Sequence, residues 1–302
     1  MRALIGIDIG GTKTAVSLGR DDGSIIDKIA FATEAVVEEV LSSIYSAVDE
    51  LVIRHGAVIS AIGISCGGPL DSKRGIIQSP PNLPAWKDIP IVELVQSRFG
   101  APTFLENDAN ACALAEWYWG AGRGFESIIF LTFGTGLGAG LILDGRLYRG
   151  PSGLAGEVGH WRMAPDGPLC YYKKGSFESF ASGCGISGLY EQHWGERLSA
   201  KDVCARAEAG EAKALGVINE SAQMLGSGLS LLVDVLNPER IIIGSIFARS
   251  EHLFRPLMDE VMKGECLPLS LSICEVVPSA LGEHLGDMAA LGIARDHMIV
   301  EA

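Results

Sequence analysis

Apolar residues run along this chain in two rhythms. Leu4, Ile5, Ile7 and Ile9 form a short β-branched run; Gly10 and Gly11 interrupt it, and Ala15, Val16 and Leu18 resume it. Run, turn and run predict a β-hairpin. The glycines are expected to take positive φ in a tight reversal and to let a ligand approach the backbone. A third strand follows over 24–32. Over 34–55 the rhythm becomes helical, with Val37, Val40, Leu41, Ile44, Val48 and Leu51 on one face and acids leading the first turn. Residues 58–66 read as a strand ending in Gly67-Gly68-Pro69, and the proline-rich stretch 79–86 as a loop. A short helix (91–99) and a short strand (103–105) lead to an alanine-rich helix that Asn107 or Asp108 can cap.

From Ile128 the opening theme returns as IIFLTFGTGLGAGLILDGRL: strand, glycine-rich turn, strand, and a further turn at Asp144-Gly145. The repeat predicts a duplicated core, each half a sheet that begins with a hairpin. Residues 152–182 are irregular. Helices are predicted over 186–194, 201–209 and 211–236, the last stopped by Asn237-Pro238. A buried strand (240–244), a helix (253–262), a strand (271–277) and a closing helix from 285 complete the chain. The alternation implies two α/β domains, 1–120 and 121–284, with the closing helix, 285–302, returning to the first.

Composition narrows the classes. The chain has 302 residues, 48% hydrophobic and 20% charged, enough for a substantial core and unlike a disordered chain. A net charge of −13 speaks against nucleic acid, whose binders show basic faces. Seven scattered cysteines without a CxxC pair fit reduced thiols in the cytoplasm better than a disulfide framework. The N-terminus does not read as a signal peptide, because Asp8 and a glycine pair break the apolar segment. The uncharged stretch 127–143 has 17 residues with four glycines and two threonines, and reads as two strands rather than a membrane span.

Three constellations can carry chemistry. In the first turn, Asp8 lies within an apolar strand, and Gly10, Gly11, Thr12 and Lys13 supply backbone N–H groups and a cation. That set suits a phosphate and a magnesium ion, against the commoner reading of a plain glycine hairpin. GTGLGAG (134–140) partly fits the dinucleotide pattern G-x-G-x-x-G/A. Strand follows it instead of helix, so a Rossmann site fails on context, and no Walker sequence occurs. What remains is a second phosphate nest. In LENDAN (105–110), Asp108 is a helix cap on the ordinary reading. On the functional one it is a general base for a hydroxyl, with Asn107 orienting the substrate.

DIGGTKT, GGP, LENDAN, GTGLGAG, GEVGH and FESFASG occur in the order found in ROK-family sugar kinases, of the actin-like ATPase superfamily, and the chain resembles that family over essentially its whole length. The resemblance implies an α/β fold of two actin-like (ribonuclease H-like) domains with ATP and sugar in a central cleft. It assigns Asp8, Gly10, Gly11, Thr12 and Lys13 to the first phosphate segment, with Asp8 near magnesium, and Gly134, Thr135 and Gly136 to the second. Asp108 matches the catalytic base and Asn107 its sugar-binding neighbour. Glu157, His160 and Glu178 match sugar contacts, with Gly68 and Asn82 lining the same pocket. Gly183, Gly244 and Ser245 would lie near adenosine, where the family often has a glycine in place of Ser245. A homodimer is the family expectation.

The chain departs from the family between His160 and Glu178. Many members hold a structural zinc there through one His and three Cys. Here Cys170 remains, but Tyr172 and Ser176 stand where the other thiols are expected. Two ligands do not close a tetrahedral site, so no zinc is expected, and packing of Tyr171, Tyr172 and Phe177 would hold the loop. His160 is either a buried hydrogen-bonded histidine or a sugar contact, and these are compatible. Trp86, Trp117, Trp119 and Trp161 read as packing before sugar platforms, and nothing near Cys66 or Cys112 would activate a thiol. The expected activity is ATP-dependent phosphorylation of a hexose, the 6-hydroxyl of glucose first, with mannose, fructose, allose and N-acetylmannosamine as alternatives. A sugar-responsive regulator is the rival class. Those carry an added N-terminal DNA-binding domain, for which a phosphate strand starting at residue 3 leaves no room.

Overall fold

The structure, a computed structural model, describes residues 1–300; the last two residues of the predicted closing helix lie outside it. The chain forms two compact units. The first holds Met1–Arg123, Gly150–Gly153 and the chain from Glu283 onward, and the second holds Gly124–Arg149 and Leu154–Gly282.

The first unit is built on a five-stranded sheet. Its strands are β1 (Arg2–Ile9), β2 (Lys13–Gly19), β3 (Ile25–Ala32) and β4 (Val58–Cys66), with β5 (Leu70–Asp71) and β6 (Ile76–Ile77) forming a separate small ribbon, and then β7 (Thr103–Asn107). The order is β3-β2-β1-β4-β7, antiparallel across β3, β2 and β1 and parallel from β1 to β7. Helix α1 (Val37–His55) buries the predicted face, Val40, Ile44, Val48 and Leu51, against one side of this sheet. Helix α2 (Ile91–Phe99) leads into β7, and α3 (Asp108–Trp119) leaves it. The closing helix, Leu285–Val300, lies directly on the sheet. Gly6 and Gly63 are register partners beneath it. A Cβ on Gly63 would stand 2.1 Å from the Ala290 carbonyl oxygen, so only a glycine admits the helix at this distance.

The second unit repeats the plan. Strands β8 (Ile128–Leu131), β9 (Ala139–Leu143) and β10 (Arg146–Leu147) form the antiparallel part. A two-stranded ribbon, β11 (Leu169–Cys170) and β12 (Lys173–Lys174), precedes the helices α4 (Phe177–Phe180), α5 (Gly183–Trp194), α6 (Ala200–Glu208) and α7 (Ala212–Leu236). Strand β13 (Arg240–Ile243), α8 (Ser245–Glu265), α9 (Pro268–Ile273) and β14 (Glu275–Pro278) follow, and the closing helix is α10. The sheet order is β10-β9-β8-β13-β14, with parallel pairing from β8 to β14.

The predicted strand over 271–277 is met only at its end, where β14 (Glu275–Pro278) lies, and is corrected before it. The alternation Leu269-Ser-Leu271-Ser-Ile273 imitates a half-buried strand, yet Leu269 and Ile273 are exposed. Pro268–Ile273 instead forms α9, with Pro268 in its first turn, where a missing N–H has no helical partner to lose. The helix predicted over 253–262 is part of the longer α8, whose Ser250 departs from helical angles (φ −131°, ψ 29°) and resets the periodicity.

Candidate active site

In the first unit, the turn between β1 and β2 is closed by the Gly10 N–H donating to the Lys13 carbonyl at 3.1 Å. Neither Gly10 nor Gly11 takes positive φ, contrary to the sequence expectation. Gly11 is required for space instead: a Cβ there would stand 2.7 Å from the Asn82 carbonyl oxygen and 2.8 Å from its Cβ. Asn82 also lies beside Gly67, and Gly68 faces open space. The turn therefore meets the Gly67-Gly68 bend and the proline-rich loop within one unit. Thr12 and Lys13 are exposed at its tip.

Thr33 braces this turn and was not singled out from sequence. Its Oγ1 donates to the Gly10 carbonyl at 2.7 Å and pairs with the Thr14 hydroxyl at 2.8 Å, and its N–H donates to Thr12 O at 3.1 Å. The alternation of β3 ends one residue earlier, so no local pattern marks Thr33.

Asp8 sits near the first turn of α10, with one carboxylate oxygen 3.3 Å from where a Gly286 Cβ would be. Burial, and after it the charges of Asp287 and Asp108, raise its carboxyl to about 6, while Lys28 and Lys13 act in the opposite sense. The Asp287 carboxylate is itself held by Lys28 Nζ at 2.6 Å. No group of three or more metal-binding side chains occurs among the described residues. Magnesium seldom needs such a group, because it keeps water and phosphate ligands beside one or two carboxylates. A half-buried carboxylate crowded by two others is relieved by a divalent cation, so Asp8 fits that role.

Asn107 and Asp108 stand where β7 passes into α3. Asn107 is the N-cap: its Oδ1 accepts from the Asn110 N–H at 2.8 Å, leaving the Nδ2 amide as what it can offer a substrate. Buried Glu106 fixes the junction, one carboxylate oxygen accepting from the Asn107 N–H at 3.0 Å and from Asn110 Nδ2 at 2.9 Å. Asp108 is thus relieved of the capping role. It reaches solvent, yet protein surrounds its carboxyl on most sides, and that desolvation lifts it above the usual carboxylate range. The Ala109 N–H, donating to Oδ1 at 2.8 Å, opposes the lift only in part. Burial also raises the thiols of Cys66, to about 12, and of Cys112, so neither is a nucleophile.

In the second unit, Gly134, Thr135 and Gly136 form a tight turn, with the Gly134 N–H donating to Gly136 O at 3.0 Å. The start of α5 is pinned to it: the Gly183 N–H donates to Gly134 O at 2.7 Å and the Cys184 N–H to Thr135 O at 3.0 Å. The β13–α8 junction lies alongside, Ser245 Oγ being 3.5 Å from the position of a Gly134 Cβ. Ser245 has φ of 53°, a left-handed value that favours glycine. Gly134, Thr135, Gly136, Gly183, Gly244 and Ser245 are thereby brought together.

Glu157, His160 and Glu178 belong to the same unit. Glu157 precedes the 3-10 turn Val158–His160, and His160 ends it. The Glu178 carboxylate accepts from the Leu137 N–H at 2.9 Å and lies against Gly136, while the Glu178 Cβ lies against Gly159, joining the GEVGH motif to the glycine turn. His160 is exposed, which removes the buried-histidine reading. Its ring meets the Tyr171 ring edge-on, with centroids 5.3 Å apart.

The loop after His160 differs from expectation. Cys170 and Cys184 are joined in a disulfide, whereas the cysteine pattern points to reduced thiols; their separation of 14 positions carries no spacing signal for it. Tyr172 is 91% exposed and Tyr171 52%, so of the three predicted packing residues only Phe177 is buried. Phe177 stacks with Trp161 at 6.2 Å. Ser176 makes a capping box with Ser179 at the start of α4.

The sequence profile of the ROK family matches residues 4–297. A glucokinase from Thermotoga maritima is 34% identical over 98% of this chain and 98% of its own length. Among solved structures, a ROK hexokinase from Thermus thermophilus superposes with a TM-score of 0.87 at 31% identity, covering 99% of each chain. A ROK family glucokinase from Streptomyces griseus, in complex with glucose and AMPPNP, gives 0.79 at 31% identity, covering 97% of this chain and 99% of that one. The fold is that of the actin-like ATPases. With a family match from residue 4 to residue 297, the protein belongs to the ROK family.

Proposed function

We propose that the chain transfers the γ-phosphoryl group of ATP to a hexose hydroxyl, with the 6-hydroxyl of glucose as first acceptor and Asp108 as general base. The chain is an ATP-dependent sugar kinase on this reading, and one observation carries the base assignment. Asp108 opens the first turn of α3 with a carboxyl raised by burial, beside an Asn107 that has taken over the capping. A carboxylate of raised proton affinity accepts a hydroxyl proton more readily at neutral pH.

Asp108 takes the proton as the sugar oxygen forms its bond to phosphorus, and the bond between that phosphorus and ADP breaks. Asn107 Nδ2 donates to a neighbouring sugar hydroxyl. Glu157, His160 and Glu178 read further hydroxyls, with Gly68 and Asn82 at the same pocket. Carboxylates suit this because two oxygens span a diol. The turns Gly10 to Lys13 and Gly134 to Gly136 cradle phosphate through backbone N–H groups other than those of Gly10 and Gly134, which close the turns; Lys13 adds charge, and Gly183, Gly244 and Ser245 adjoin adenosine. Asp8 would hold magnesium, directly or through water; when bound, the ion neutralises phosphate charge. The same reading expects a cytoplasmic homodimer. The relatives named glucokinase support glucose over mannose, fructose, allose or N-acetylmannosamine.

The test is an ADP-release assay across hexoses and N-acetylhexosamines. Turnover with glucose at the highest kcat/KM is expected. Faster turnover of another sugar would reassign the acceptor. Silence across the panel would overturn the kinase reading in favour of a sugar-sensing regulator.

A further inference from the structure

Cys170 ends β11, and Tyr171 and Tyr172 make the turn into β12 with φ of 42° and 62°. Both angles are left-handed, an unfavourable region for a residue with a Cβ. A ribbon with two residues per strand has too few ladder bonds to impose them. The turn is held from outside. Ser179 Oγ donates to the Lys173 carbonyl at 3.0 Å, and the disulfide ties Cys170 to Cys184 at the start of α5. That anchor is firm, because Gly183 and Cys184 are pinned by backbone hydrogen bonds to Gly134 and Thr135. On the far side of the turn, Tyr171 lies against the His160 ring, and Lys173 Nζ donates to the His160 carbonyl.

We propose that the Cys170–Cys184 disulfide is a redox-cleavable brace that holds Tyr171 against His160, making Tyr171 a positioning residue for the acceptor sugar. The proposal rests on the sugar-kinase reading of His160. A dithiol reductant breaks the S–S bond by delivering two electrons and two protons. Cys170 and Cys184 become thiols, and the dithiol leaves as its own cyclic disulfide. Cys184 is half-buried, within reach of a small dithiol. Once the tie is cut, the left-handed turn relaxes, and Tyr171, half exposed, has little burial to keep it in place. The hydrogen bonds from Gly183 and Cys184 to the glycine turn do not depend on the bridge. Reduction should therefore weaken the grip on sugar and leave ATP alone.

The experiment compares oxidised and dithiothreitol-reduced enzyme, with thiols counted by labelling in non-reducing denaturant. Five of the seven cysteines should label before reduction and all seven after. Reduction should raise the sugar KM by about tenfold, with kcat and the ATP KM unchanged. The double variant Cys170→Ser/Cys184→Ser should show the raised KM without reductant and no response to it. Tyr171→Ala should reproduce the raised KM with five thiols still labelling. Seven thiols in the oxidised protein, or an unchanged sugar KM once seven are counted, would overturn the proposal. Amide hydrogen exchange separates it from the kinase reading. Should no sugar be phosphorylated, faster exchange over 158–162 and 169–174 on reduction would still establish the brace, and unchanged exchange would refute it.

Discussion

The Glu178 carboxylate accepts a hydrogen bond from the Leu137 N–H at 2.9 Å, so a residue assigned to the sugar also holds the turn assigned to phosphate. Two substitutions separate these duties. Glu178→Gln keeps an oxygen for Leu137 but loses the charge, and should raise the sugar KM alone. Glu178→Ala leaves the Leu137 N–H without its partner, a loss of about 1–3 kcal/mol, and should raise the ATP KM as well. Steady-state kinetics in both substrates reads the difference.

Gly11→Ala should damage the first turn without any backbone strain, since Gly11 has no positive φ. Its new methyl would meet the backbone and Cβ of Asn82 at 2.7 and 2.8 Å, and neither atom can swing aside. A loss of about 1–3 kcal/mol is expected from such overpacking, together with a higher ATP KM. Urea unfolding and kinetics at varied ATP measure the two.

Asp8→Asn should stabilise the protein while impairing phosphoryl transfer. Burial and the charges of Asp287 and Asp108 raise the Asp8 carboxyl from 3.8 to about 6. A raised carboxyl contributes stability fully below pH 3.8 and loses it as pH climbs through about 6, where the folded chain must carry the crowded charge. The full difference is at most about 3 kcal/mol. Urea unfolding should therefore show the variant more stable than wild type at pH 8 and equal to it below pH 4.

Asp108 must be ionised to take a proton, and burial places its carboxyl above the usual range. The acid limb of kcat/KM should accordingly lie above the ordinary aspartate value. A pH–rate profile with an acid limb at the ordinary value or lower would remove burial as the tuning force.

Much of this was readable in the chain. Apolar runs on either side of a glycine-rich turn announced both hairpins, and the β-branched runs matched buried strands such as Ile62 and Ile64 of β4. Signals that depend on distant partners were not readable. Lys28 meets Asp287 across 259 positions, and Thr33 has no pattern of its own. The disulfide joins two cysteines whose spacing resembles no motif. Local rhythm also misled in α9, because apolar alternation says nothing about whether another layer will cover it. Ser245 illustrates a departure that was legible in letters and explained only in space: its φ of 53° is where a glycine would sit without strain.

On the proposed mechanism, Asp108 removes the proton from the acceptor hydroxyl. Asp108→Asn keeps the size of the side chain and an oxygen for the Ala109 N–H, and removes the base. Turnover with saturating ATP and sugar should fall by about 10²–10⁴, while the sugar Kd from calorimetry stays near that of the wild type. Near-normal turnover in this variant, with sugar binding intact, would contradict the account.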